Sequence, residues 1–152
     1  MTRPLLRLVL ALVLLLPASA GWAQVLFPQT PLELVGADGQ HHAFTVELAT
    51  TSQQLSQGLM FRTKMDADAG MLFDFGEIKP VSMWMKNTVL PLDMLFIDAQ
   101  GRVTGIAQRT IPYSTTVISS PGPVKAVLEL NGGTASRLHL AVGDKVVHRL
   151  FQ

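Results

Sequence analysis

The sequence predicts a mostly β protein: a single compact β-sandwich or jelly-roll-like barrel with one or two short helices. Three observations support this. Short apolar segments recur every 8 to 12 residues between Gly, Asp and Pro turn signals. Where a segment is long enough to show a period, apolar and polar residues alternate. No internal repeat and no second hydrophobic block point to another domain.

The elements follow in order. Leu32 to Val35 and His42 to Ala49 read as strands around the turn Gly36-Ala37-Asp38-Gly39, and Phe44, Val46 and Leu48 alternate with more polar neighbours in the second. A helix of about two turns is expected over Ser52 to Gln57: Thr51 is an N-cap, Gln54 completes a capping box, and Gly58 ends it. Gly70 to Phe75 and Val81 to Thr88 read as strands, as do Asp93 to Ile97 and Arg102 to Gln108 across the turn Asp98-Ala99-Gln100-Gly101. Ile111 to Pro123 is a Ser/Thr/Pro-rich excursion with a short strand at Thr116 to Ile118, a candidate for the most mobile part of the domain: either a surface connection with an edge strand that touches no site, or a lid that brings Tyr113 to Trp84 or Lys86. Ala126 to Leu130 and Lys145 to Leu150 close the domain, with a helical turn at Thr134 to Leu138.

The N-terminus has the succession of a secretory signal peptide. Arg3 and Arg7 precede the apolar run Leu8 to Leu16, and small residues allow cleavage after Ala20 or Ala23. The expected organisation is a signal peptide over residues 1–20, a flexible leader over 21–30 and one domain over 31–152, exported to the periplasm or beyond. The apolar run is far shorter than the ~20 residues a bilayer requires, so no stable membrane anchor is expected after cleavage. The chain is cysteine-free, which leaves no lipid-bearing cysteine, no disulfide and no thiol nucleophile. Removing Arg3 and Arg7 takes the formal charge from +1 to −1. That balance, without a basic cluster, argues against nucleic acid as a partner. A monomer is expected.

Several motifs occur in a fixed order: Gly58-Leu59-Met60-x-Arg62, Gly70-Met71-Leu72-Phe73, Trp84-Met85-Lys86-Asn87-Thr88-x-x-Pro91-Leu92-Asp93 with Phe96 after it, Val127-Leu128-Glu129-Leu130-x-x-Gly133, and Gly143-Asp144. On these motifs, which span Leu32 to Leu150, the chain resembles the domain of unknown function 192 family. The resemblance implies a compact jelly-roll type of β fold and a set of site positions, but no activity, cofactor or substrate. His139 departs from it, standing where a small, glycine-like residue is expected.

The candidate ligand-binding residues are Arg62, Trp84, Lys86, Asn87, Thr88, Asp93 and Glu129. If Val81 to Thr88 is a strand that returns through Val89 to Leu92, then Ser82, Trp84, Lys86 and Thr88 share a face and Lys86 becomes a diagonal neighbour of Asp93. An indole beside a cation, a hydroxyl and a carboxylate suits a small polar ligand. The alternative is a structural Lys86–Asp93 pair with Trp84 filling core volume. Arg62 is placed either to clamp an anion or to pair with Asp74, Asp93 or Glu129. Glu129, inside an apolar run, requires a partner if buried.

Four functional readings follow. The first is a binding or accessory module for a small polar ligand or a periplasmic partner. The second is a structural or partner-docking domain with no ligand site. The third is a hydrolase using Asp93 and Glu129 as a carboxyl pair. The fourth is Cu(I) binding through the thioethers of Met83 and Met85. No cofactor is implied. The sequence lacks a Gly-x-Ser-x-Gly elbow and a phosphate-cradling loop, so catalysis is the weaker expectation. His41, His42, His139 and His148 lack zinc-ligand spacing and are expected on the surface or in loops.

Overall fold

The computed structural model describes residues 25–152. The expected signal peptide lies outside them. Seven strands are formed: β1 (Gln29–Val35), β2 (His41–Ala49), β3 (Ala69–Met83), β4 (Leu92–Ile97), β5 (Val103–Ala107), β6 (Ile118–Asn131) and β7 (Lys145–Val147). Two short helices, α1 (Ser52–Gln57) and α2 (Thr134–Arg137), join them, and a 3-10 turn over Arg149–Phe151 follows β7. All seven strands belong to one sheet in the order β5-β4-β6-β3-β2-β1-β7. Of the two expected architectures this is the barrel. Neighbours are antiparallel except β2 and β3, which run parallel and are joined through α1.

The sheet curls until its ends nearly meet. Arg102 bridges Lys145, and Val103 N–H donates to the Asp144 carbonyl at 2.9 Å. Gly101 is needed at this seam: its φ is +77°, and a Cβ there would lie 2.6 Å from the Val146 carbonyl oxygen.

Alternation along the strands divides the apolar residues into two cores. Leu34, Val46, Leu72, Leu95, Leu128 and Val146 fill the barrel. Met71, Phe73, Leu92, Met94, Phe96 and Val127 point out of it and are covered by Met85 and Leu59 from the connecting segments. A second layer on the outside explains why every residue of β4 is buried and why Leu92 to Ile97 shows little polar alternation.

Four expectations are corrected. Segment 81–88 is not one strand: β3 ends at Met83, and a turn follows in which Thr88 N–H donates to the Met85 carbonyl at 3.0 Å. It cannot return against β4, because β5 and β6 occupy both edges of that strand. The excursion from Ile111 to Pro123 is half strand, since β6 begins at Ile118 and pairs with the far end of β3. The last strand stops at Val147 rather than Leu150. β1 begins inside the expected leader, and Phe27 packs on the outer core.

Candidate ligand-binding site

β6 carries Glu129 at 4% exposure on the outer face of the sheet, opposite Met71 of β3 and Met94 of β4. These flanking side chains are apolar. Among the described residues, the Glu129 carboxyl has neither an ion-pair nor a hydrogen-bond partner. Burial without a cation raises its pKa from 4.5 to about 8, so the carboxyl is protonated at neutral pH.

Glu129 is exposed to a cavity of about 120 Å3 between α1, β3 and the turn after β3. The rings of Phe73, Phe75 and Trp84 and the thioethers of Met60 and Met83 line it, with Ser56, Gln57, Ser82 and Thr88 as its uncharged polar residues. The helix is set by its capping box: the Thr51 hydroxyl accepts from Gln54 N–H, and the Gln54 side chain accepts from Thr51 N–H. Gly58 then turns the chain at φ +46°, with its missing Cβ only 2.9 Å from the Phe73 ring. That close approach brings Leu59 and Met60 over the outer core.

Trp84 is 49% exposed at the cavity mouth, and the Lys86 ammonium stands 5.4 Å from the centre of its ring. Thr88 is buried and donates to the Lys86 carbonyl at 3.2 Å. Asn87 adopts φ +57°. Its carbonyl accepts from Phe61 N–H at 2.9 Å, so it shapes the turn rather than lining the cavity.

Asp93 is elsewhere. It points into the barrel beside Leu130 and is fully buried. Its carboxylate accepts from Arg109 N–H at 2.7 Å, Gly133 N–H at 3.0 Å and Ala135 N–H at 2.7 Å, closing one end of the barrel. The expected Lys86–Asp93 pair is therefore absent, because the hairpin that would make it does not form. The hydrolase pair fails for a related reason. Asp93 is level with Leu130 and Glu129 with Met94, so the two carboxyls leave opposite faces of the sheet.

Arg62 is paired, but with none of the three expected carboxylates. Its guanidinium donates to both oxygens of Glu47, at 2.9 and 2.6 Å, which raises its pKa further. Asp74 pairs instead with Lys125 at 3.2 Å. Met83 and Met85 are also separated. Met85 is buried, and its sulfur accepts from the Thr110 hydroxyl at 3.1 Å, while Met83 lines the cavity. Among the described residues, no group of three His, Cys, Asp or Glu side chains is placed to hold a metal.

His148 is buried rather than superficial. Its Nδ1 accepts from Leu150 N–H at 3.1 Å, which leaves Nε2–H to donate to the Thr30 hydroxyl at 3.2 Å. Burial, then the charge of Arg149, lowers its pKa.

The cavity thus unites Trp84, Thr88 and Glu129 and leaves Arg62, Lys86, Asn87 and Asp93 off its lining. Sequence reasoning missed Phe73, Phe75 and Met60 as walls. Met60 and Phe73 stand inside the quoted motifs, yet nothing local to either motif shows that both meet Glu129.

A nearly closed barrel with a carboxyl-floored pocket on its outer face defines the protein as a compact β-barrel domain with a small cavity over the buried acid Glu129. The chain belongs to the domain of unknown function 192 family, described as "Uncharacterized ACR", which it matches over residues 34–148. It is 49% identical to a Sinorhizobium meliloti 1021 protein described as a "putative transcription regulator", covering 82% of this chain and 96% of that one at a TM-score of 0.80. It is 42% identical to a protein of unknown function from Novosphingobium aromaticivorans DSM 12444, covering 79% and 85% at a TM-score of 0.76. No curated protein matches the chain.

Proposed function

We propose that this protein is a binding module for a small ligand, with its site in the pocket over Glu129. The observation that carries the reading is the Glu129 carboxyl, which among the described residues has no partner and opens only to the cavity. Burying such a group costs free energy unless it is hydrogen-bonded, and a ligand filling the pocket supplies that bond. The aromatic and thioether walls provide apolar contact, and half-exposed Trp84 forms a lip. The near-neutral charge of the chain gives no comparable support to a nucleic-acid role of the kind the Sinorhizobium protein's description would bring.

A thermal-shift screen of the protein against sugars, amines, peptides and anions tests the reading. A compound at 100 times its Kd stabilises the fold by about 2.7 kcal/mol. Hits should lose that effect in both Glu129→Gln and Trp84→Ala. A hit that keeps its full effect in both variants binds elsewhere and defeats the assignment.

We also propose export, on the charged, apolar and small-residue succession at the N-terminus. N-terminal sequencing of the protein from its native host should give a chain beginning at Gly21 or Gln24. A cell-associated chain beginning near Met1 would reject it.

A further inference from the structure

Among the described residues, the other buried and half-buried carboxylates already have partners. Asp93 takes three backbone N–H groups, and Asp144 takes those of Ala37 and Ala141. Glu47 takes Arg62, and Asp74 takes Lys125. Glu129 is as buried as the first two, yet it faces a cavity rather than a donor. The remaining walls combine aromatic rings, thioethers and aliphatic carbon with the uncharged polar residues Ser56, Gln57, Ser82 and Thr88. The rings and thioethers attract a cation and its alkyl chain, and Glu129 supplies the acid to meet that cation, so the pocket favours an ammonium on an apolar chain over a neutral polyol. Trp84 already engages one ammonium, that of Lys86. At about 120 Å3 the cavity is a little smaller than the ~150 Å3 that accepts benzene, which is the scale of a short aliphatic chain.

We propose that the pocket takes an alkylammonium group, its nitrogen on the Glu129 carboxylate and its chain against Phe73, Trp84, Met60 and Met83. This rests on the small-ligand reading above and assigns the ligand's chemical class. The group belongs either to a free amine or to a lysine side chain of a polypeptide. Binding is ion pairing with loss of one proton: the carboxylic acid gives its proton to solvent as the ammonium arrives. Affinity therefore rises with pH while Glu129 is protonated in the free protein, and it levels once the carboxyl is ionised. Among the described residues, no other ionisable side chain lines the cavity. α1 contributes Leu55, Ser56 and Gln57, the facing strand positions are Met71 and Met94, and the turn contributes Trp84 and Thr88. Lys86 lies outside, on the Trp84 ring.

Calorimetric titration with n-butylammonium, n-butanol and Nα-acetyl-lysine amide, from pH 5.5 to 8.5, tests this. Butylammonium should bind more tightly than butanol, gain about tenfold in affinity per pH unit through neutrality and level near pH 8. Proton release should approach one per ligand at pH 6. Glu129→Gln should remove both the slope and the preference over butanol. Tighter binding of the lysine amide than of butylammonium assigns the group to a polypeptide, and the reverse order assigns it to a free amine. Equal binding of butanol and butylammonium without a pH slope overturns the ammonium assignment while leaving the pocket as a small-ligand site. If none of these probes binds at pH 8.5 but a hit from the wider screen depends on Glu129 and Trp84, the amine assignment alone fails. If no compound depends on those residues, both readings fail.

Discussion

Glu129 and Asp93 are both carboxylates on adjacent strands of one sheet, and their surroundings give them opposite roles. Asp93 meets three N–H donors and works as a structural anion that ties β4 to α2 and to the residue after the β5 loop. Asp93→Ala leaves those donors buried and unpaired, so we expect a loss of roughly 3 kcal/mol or more in urea unfolding. A loss below ~1 kcal/mol would show that the bonds are dispensable. Glu129 meets none, and the folded state holds its proton. Its pKa is raised above the unfolded value, so its stabilising contribution is complete below about pH 4.5, declines as pH rises, and is gone above about pH 8. A rise from 4.5 to about 8, at ~1.36 kcal/mol per pH unit, sets the scale at roughly 5 kcal/mol. Glu129→Gln removes the titration. The variant should therefore gain on the wild type from pH 5 to about 8 in denaturant midpoint and level above that, and parallel profiles would show that Glu129 ionises normally in the fold. Neither role was legible from the residues themselves. A strand returning through Val89 to Leu92 would set Asp93 diagonally beside Lys86, and that hairpin does not form because β5 and β6 hold both edges of β4.

At the scale of elements, α1 was legible to the residue because its signals are local: an N-cap, a capping box and a closing glycine act within a few positions of one another. Thr51→Ala should cost about 1 kcal/mol in chemical denaturation, as N-cap removal generally does. Gly58→Ala should cost more, because the new Cβ meets the Phe73 ring at 2.9 Å in a backbone conformation that disfavours side chains. It should also weaken any ligand that depends on Glu129, since Phe73 forms part of the same cavity. Equal stability of Gly58→Ala and wild type would show that the ring and turn yield freely. His139 stands in a glycine-like place, with a backbone φ of +56°. The end of β3 was illegible. Trp84 to Thr88 alternates well enough to read as a strand, but Asn87 in the left-handed region and the Met85–Thr88 turn bond end the pairing. An alternating pattern records which residues face inward, and a turn packed on a core leaves much the same record as a strand.

Across the whole molecule, the barrel closes through a short seam between residues 101–103 and 143–146, whereas β3 and β6 are paired over most of their length. Hydrogen exchange should find Val103 and Val146 amides less protected than those of Leu72 and Leu128, since few bonds must break to open the seam. Equal protection would mean that the barrel opens only by global unfolding. The sequence by itself determined the β class, the single domain, the position of α1 and membership of the family, because each depends on local periodicity, local capping or ordered motifs. It also singled out Trp84, Thr88 and Glu129 as residues of interest. Only the tertiary structure decided that these three share a cavity, that Arg62 belongs to Glu47, and that Asp93 faces the other core. The physical reason is strand order. β4 lies between β5 and β6, and β3 lies between β6 and the parallel β2. Pairings between distant segments of this kind are set by the packing of two cores at once, and no local pattern encodes them.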